Sequence, residues 1–471
     1  MLRTLLRVGL IAVLAAGTTH AQQLSTDPLP AIDGTRDVVT VSVQEFALIP
    51  DRNGRAARMM NMVQEPNTGR FFVTTLDGAV YVVGQGGQTV TPYLDVNDAR
   101  WNVGVYAPSI DTGMMSFALH PQFAQAGAPG YGRFYTYTDT PAGSMSPDFA
   151  PNAPSGRLHD TVLLEWTAKN PSASVYDGGG PRVVFRMADP TLFHSGGHLG
   201  FNPLARPGDA EYGLLYVGSS DGGPSSPRPA MPQDLNSIFG KILRIDPLGS
   251  NSANKQYGIP PANPFANDGR EDTLAEVYAY GLRNPQRFTW DAKDGRMYVA
   301  DIGENLVEEV SPVTAGANLG WSVWEGSFRY AGTAGVDIAN PRSAEGLTWP
   351  VVEFDHRDPL LPPRQAITGL VVYREGPLTL LRNKMIFGDI AGGEILYVDA
   401  DNLPAGGNLT IRRVLLNDGG TPRSLLQIVR AKNVSRGRPA GGRADLRFGS
   451  GAQGQVFILN KHDGVIRQIV P

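Results

Sequence analysis

The sequence predicts an all-β fold, and three observations support that reading. Glycine and proline are abundant, at 56 and 37 residues, and mark closely spaced turns. Short apolar runs are frequent, whereas stretches with helical periodicity are few. One phrase, a glycine or polar turn followed by an aromatic-bearing strand, recurs six times. A small antiparallel sheet cannot bury both faces alone, so such units stack radially. The predicted architecture is a six-bladed β-propeller of four-stranded antiparallel blades with long inter-strand loops. A β-sandwich, or two unrelated β domains, is the competing architecture.

Met1 to Ala21 reads as a secretory signal peptide. Arg3 and Arg7 supply a positive start, Val8 to Ala16 a short apolar core, and Thr19-His20-Ala21 a small-x-small cleavage site. The apolar run falls short of the roughly 20 residues of a membrane helix, so export with cleavage is expected rather than anchoring. Residues 22–471 are then expected to form one domain, placed in the periplasm or secreted. Val38 to Phe46 is an early strand suited to complete the last blade and close the ring.

The six copies follow in order. They are Gly69-Arg70-Phe71-Phe72-Val73, Gly132-Arg133-Phe134-Tyr135-Thr136 and Gly213-Leu214-Leu215-Tyr216-Val217, then Gly295-Arg296-Met297-Tyr298-Val299, Asn383-Lys384-Met385-Ile386-Phe387 and Gly454-Gln455-Val456-Phe457-Ile458. Several run into a second turn and strand, as in Leu76 to Val82, Asp389 to Val398 and Asn460 to Ile469. Successive copies lie roughly 60 to 90 residues apart, beyond the ~40–50 of minimal blades, so long loops are inserted. Thr140 to Pro154, Gly326 to Pro350 and the Arg/Gly-rich Ser435 to Gly442 read as such loops.

Composition excludes several chemistries. The chain has no cysteine, so thiol nucleophiles, cysteine zinc sites and iron–sulfur clusters are ruled out. The formal charge is −4, which gives no reason to expect nucleic acid or an anionic membrane as partner. No segment after the signal is long and apolar enough for a membrane span. No glycine pattern of a nucleotide-binding loop follows a strand and opens a helix.

The residues that suit chemistry fall between Phe193 and Gly326, on short loops between strand-like runs. His194 precedes Ser195-Gly196-Gly197, where glycines allow close approach and an imidazole can take a proton near neutral pH. Asp221, in Ser220-Asp221-Gly222-Gly223, can orient that imidazole. Read alone, a lone histidine is more often structural, and a turn aspartate is as readily structural as functional. Arg283-Asn284-Pro285 offers a planar cationic fork beside an amide on a rigid turn, though such a turn is commonly a surface feature. Asp301-Ile302-Gly303-Glu304-Asn305, with Glu308 and Glu309 behind it, offers oxygen donors of the kind Ca²⁺ takes, without the spacing of an EF-hand. His120 and His356 read as hydrogen-bonded turn residues, and His159 and His462 as exposed.

In this order, these motifs resemble the soluble quinoprotein (PQQ-dependent) aldose and glucose dehydrogenases, the glucose/sorbosone dehydrogenase family. The match runs from about Gly113, where Gly113 to Pro121 resembles the family's Gly-Leu-Leu-Gly-x-Ala-Phe-His-Pro segment, to the C-terminus. The resemblance implies that His194 is the catalytic base and Asp221 its partner. It implies that Arg283 and Asn284 contact the quinone, and that Gly303 and Glu304 bind Ca²⁺ through main-chain carbonyls. Asp111 takes the place of a residue that touches substrate. Arg447, with Arg443 as second candidate, matches an arginine that grips PQQ. The implied reaction oxidises the C1 hydroxyl of an aldose or related polyol to a lactone, with a separate electron acceptor.

The chain also departs from the family pattern. Phe193 stands where an acid precedes the histidine, His198 where Arg is frequent, and Leu319 where Tyr is usual. The fifth blade has no lysine between Met385 and Asp399, which leaves fewer cations for a tricarboxylate cofactor. That shortage is the sequence argument for a second reading, a non-catalytic propeller that binds a glycan or protein partner. The Ala-Asp-Ile-Gly-Glu-Asn form also resembles the broader branch with hedgehog-interacting-protein-like propellers. A Ca²⁺-dependent lactonase-type hydrolase is the third reading.

Overall fold

The computed structural model describes residues 22–106, 109, 111–143, 146–150, 156–194, 196–223, 230–361 and 365–471. The signal peptide read over residues 1–21 lies outside them.

Each copy of the repeated phrase folds as the second strand of a four-stranded antiparallel meander. These second strands are Phe71–Thr75, Arg133–Pro141, Leu215–Ser219, Met297–Asp301, Lys384–Asp389 and Val456–Leu459. The turn residue before each (Gly69, Gly132, Gly213, Gly295, Asn383 and Gly454) has φ between 57° and 80°. Glycine enters that left-handed region without steric cost, and asparagine tolerates it better than most residues. The repeated phrase is therefore a backbone requirement of the turn.

The second, third and fourth meanders are separate sheets. The first, fifth and sixth are linked into one long sheet by two parallel pairings, Val39–Leu48 with Arg412–Asp418 and Ser450 with Val63. Val39–Leu48 is also the outer strand of the sixth meander, antiparallel to Val465–Val470. The early strand thus takes the place that the sequence predicts for it.

Neighbouring residues of each second strand feed different hydrophobic clusters. Phe72 packs with Phe117, Phe134 and Trp166, whereas Phe71 packs with Val73, Phe457 and Ile466. The same split separates Tyr135 from Phe134, Val217 from Tyr216, Val299 from Tyr298, Ile386 from Phe387 and Phe457 from Ile458. Strand side chains alternate in direction, so each sheet is covered on both faces. That is why these strands read as continuous apolar runs rather than as alternating ones. One cluster lies between each meander and the next, and another joins the sixth meander to the first through Phe457 and Phe71. The arrangement is all-β and propeller-type.

Two features differ from the sequence reading. Residues 326–350 are not simply a surface loop. Phe328–Tyr330 and Val336–Asp337 form a small sheet with Trp324–Glu325 and the N-terminal Leu24–Ser25. In addition, Leu425–Ser435 is an α-helix, where Gln427 Oε1 accepts the Ser424 N–H at 2.9 Å in a capping box. Its Leu425, Ile428 and Val429 pack on Ile386 and Ile458. No helix among the described residues is long and apolar enough to cross a membrane.

Candidate functional site

Antiparallel pairing sets the start of each first strand beside the end of its second strand. Gly196 lies opposite Ser219, Pro285 opposite Asp301, Ile367 opposite Asp389 and Arg447 opposite Leu459. Residues just outside those pairs therefore collect at one mouth. His194, Arg283 and Asn284 enter first strands, while residues 302–305, Ile390 and Lys461 leave second strands. With Asp111, Arg443 and Arg447, they line one cavity of about 230 Å³. Of the residues to which the resemblance gives a role, Asp221 alone does not line it and stands behind His194; Asp301, Glu308 and Glu309, read as oxygen donors, do not line it either.

His194 sits at φ 54° at the entry to its strand. Its Nδ1 is 2.8 Å from Asp221 Oδ1, and its Nε2 is 3.3 Å from a guanidinium nitrogen of Arg283. Asp221 also accepts the Gly223 N–H at 2.9 Å and the Trp321 indole N–H at 2.9 Å. Burial pushes the Asp221 carboxyl up, but the hydrogen bond and charge of His194, with Arg283 and the Gly223 amide, outweigh it. The net result holds the carboxyl below its usual range, so it is a carboxylate at neutral pH.

Arg283 is locked on three sides. It donates to Glu304 Oε2 at 2.7 Å and to the Ile302 carbonyl at 3.0 Å, and Asp301 accepts its main-chain N–H at 2.8 Å. Burial lowers its basicity, but Asp221 and Glu304 more than restore it, so the guanidinium stays charged. Asn284 is held through its N–H to Asp301 at 2.6 Å, while its side-chain oxygen accepts from Ser220 and Gln286.

The 302–305 loop is anchored from below. One oxygen of buried Glu325 accepts the N–H groups of Glu304, Asn305, Leu306 and Val307 at 2.8 to 3.3 Å. Gly303 is required here, because a Cβ would come within 1.8 Å of the Val307 carbonyl oxygen. The Glu304 carboxylate is engaged by Arg283, so its side chain is not a free ligand.

The opposite wall is cationic. Arg443 pairs with Asp445 at 2.7 Å, and Asp445 also meets His462 at 2.7 Å. Arg447 donates to Leu446 O at 2.7 Å and to Thr368 at 3.2 Å, while its buried Nε has no partner among the described residues. Burial pulls its pKa down to about 10. Lys461 is 4 % exposed, and its ammonium has no hydrogen-bond or ion-pair partner among the described residues. Burial, followed by the charge of Arg447, pulls it well below the usual lysine range.

Sequence reasoning missed Lys461, although it occupies the same register after a second strand as residues 302–305. His356, read as a turn residue, lines the cavity with Nε2 2.6 Å from Glu308. His159, read as exposed, is 1 % exposed because it packs against Asp189. His462 is half-buried on Asp445. His120 is hydrogen-bonded as read, accepting the Gln122 N–H at 3.1 Å.

A family model described as Glucose / Sorbosone dehydrogenase matches residues 57–421. The chain belongs to that family. This glucose/sorbosone dehydrogenase family member is 29% identical to the HIPL1 protein of Arabidopsis thaliana over 379 residues, 71% of this chain and 51% of that one. It is 25% identical to the aldose sugar dehydrogenase YliI of Escherichia coli K12 over 236 residues, 49% of this chain and 56% of that one. The chain thus spans about half the length of these curated relatives. In fold it is similar to the PQQ-bound aldose sugar dehydrogenase of Streptomyces coelicolor, with a TM-score of 0.56 and 18% identity, covering 91% of this chain and 98% of that one.

Proposed function

We propose that residues 22–471 form one exported, six-bladed propeller that oxidises an aldose or related polyol at C1 to the lactone, using PQQ and Ca²⁺. Family membership supports a sugar oxidoreductase. The six meanders, with one hydrophobic cluster between the sixth and the first, support six blades. The observation that carries the reaction is the Asp221–His194–Arg283 array, because it fixes Nε2 as the accepting nitrogen on the cavity wall, where a substrate hydroxyl would take the place of the Arg283 contact.

The cavity residues fit the cofactor. Among the described residues, the 4 % exposed Lys461 side chain has no hydrogen-bond or ion-pair partner, and the buried Nε of Arg447 has none either. Such groups are costly unless an anion meets them, and PQQ carries three carboxylates. Arg447, Arg443 and Lys461 would hold those carboxylates, with Arg283 and Asn284 at the quinone edge. Lys461 answers the missing fifth-blade lysine and so removes the main argument for a purely binding propeller. For Ca²⁺, the four amides turned onto Glu325 support a loop whose Gly303 and Glu304 carbonyls face the other way. When bound, PQQ supplies the two-electron acceptor for hydride and Ca²⁺ polarises its quinone oxygen.

His194 Nε2 takes the proton of the C1 hydroxyl. Asp221 stabilises the imidazolium and keeps its orientation. Asp111 hydrogen-bonds a sugar hydroxyl. Electrons leave to a separate acceptor. Dye reduction with PQQ, Ca²⁺ and a panel of aldoses tests the reading, with His194→Ala as the inactive control. Lactone hydrolysis without quinone would instead support the hydrolase.

A further inference from the structure

Asp139, His159 and Asp189 form a group outside the cavity that the proposed reaction does not use. They are 0 %, 1 % and 2 % exposed, and one ligand atom from each lies within 4.8 Å of the others. All belong to the second meander. Asp139 lies on Arg133–Pro141, His159 starts the next strand, and Asp189 follows the outer strand that ends at Ala188.

The protons of this group can be counted. A carbonyl only accepts, so His159 Nε2, 3.0 Å from Thr191 O, carries a hydrogen and donates it. In the neutral ring, Nδ1 is then a bare lone pair. It faces Asp189 Oδ2 at 3.2 Å without hydrogen-bond alignment, and Asp189 Oδ1 also has no partner among the described residues. The Thr161 hydroxyl lies 2.7 Å from both Asp139 and Asp189 but has one proton to give. With the imidazole neutral and both carboxyls ionised, the three groups converge with too few protons, and burial raises both carboxyls, that of Asp139 further through the charge of Asp189. Two added protons would complete the group, and so would one divalent cation. The misaligned Nδ1 favours the cation. A backbone carbonyl on the far ring nitrogen is also how metal-binding histidines are commonly oriented.

We propose that Asp139, His159 and Asp189 hold one divalent ion of the Mn²⁺ or Zn²⁺ type. An imidazole with two carboxylates suits those ions better than Ca²⁺, which takes oxygen ligands. The ion joins the two segments that deliver Asp111 and His194 to the cavity. On one side, Asp139 accepts the Gly113 N–H at 2.9 Å and its carbonyl accepts the Tyr106 N–H at 2.8 Å. On the other, Asp189 leads into Thr191, whose hydroxyl oxygen accepts the Phe193 N–H at 3.1 Å next to His194.

The test is a Mn²⁺ titration of the chelator-stripped full chain, read by the electron paramagnetic resonance of free Mn²⁺. Excess Ca²⁺ is present and no quinone is added, so the outcome is independent of the proposed cofactor. The expected result is about one equivalent bound, displaced by Zn²⁺, with a raised melting temperature. Affinity should fall at least about tenfold in His159→Gln and in Asp189→Asn. Absence of Mn²⁺ and Zn²⁺ binding by the wild-type chain would overturn the proposal and leave a proton-sharing cluster. Binding unchanged in both variants would also overturn it. Should either variant fail to fold, the wild-type titration and its melting shift decide alone.

Discussion

Arg283 sets a guanidinium nitrogen 3.3 Å from Nε2 of His194. A guanidinium has only hydrogens to offer, so Nε2 is the accepting nitrogen of the ring. The proton of the neutral imidazole is therefore on Nδ1, donated to Asp221 at 2.8 Å. One charged side chain and one carboxylate together select the tautomer that can act as a base toward the cavity.

The first prediction concerns that base. His194→Ala should lower dye-linked turnover by about 10²- to 10⁴-fold, the usual range for a lost general base. The fold should persist with a lowered melting temperature, because the His194 ring fills no hydrophobic cluster but the buried Asp221 carboxylate loses its partner. Steady-state kinetics beside a thermal melt check both halves.

Asp221 links the site to acid stability. Its folded pKa is depressed, so its stabilising contribution is present above the unfolded value near 4 and is lost as pH falls through the folded value. Asp221→Asn should therefore cost about 1.5–3 kcal/mol at pH 7, the worth of hydrogen bonds to a charged group. The difference between variant and wild type should shrink as pH drops below about 4. Denaturant melts at several pH values test the sign; a gap that widened in acid would contradict it.

For Lys461, binding and stability should move in opposite directions. The side chain is buried without a hydrogen-bond or ion-pair partner among the described residues, so Lys461→Met removes an unsatisfied polar group and keeps the length of the side chain. The variant should be more stable by about 1–3 kcal/mol. Its affinity for PQQ should fall by about tenfold or more, because a desolvated charge pair is lost. Quinone titration and urea unfolding read the two effects separately.

Glu325 anchors the 302–305 loop without touching the cavity. Glu325→Ala should cost about 1–3 kcal/mol for each buried amide that finds no new partner. Ca²⁺ affinity should fall with it, since the loop loses its shape. Calorimetric Ca²⁺ titration checks this, and unchanged affinity would show that the loop holds its conformation unaided.

Much of the fold was legible because the turns impose it. The residue before every second strand needs a left-handed backbone, which leaves a visible mark of glycine or asparagine. The continuous apolar runs in those strands are visible because both sheet faces are covered. His194, Asp221, Arg283 and Asn284 were legible because glycine and proline flank them at strand ends. The helix 425–435 was not, since a Ser-x-x-Gln cap before a short apolar stripe is a weak mark in a strand-rich chain. Lys461, His356 and His159 were missed for another reason. Their importance depends on burial, and burial comes from pairing between distant segments, such as Glu308 with His356.

The central claim, that this cavity holds a quinone for sugar oxidation, is tested most directly by titrating the purified protein with PQQ in the presence of Ca²⁺. The account predicts saturation at about one equivalent per chain, weakened in Lys461→Met and followed by aldose-dependent dye reduction that EDTA abolishes. Failure of the wild-type protein to bind PQQ in Ca²⁺ would contradict it.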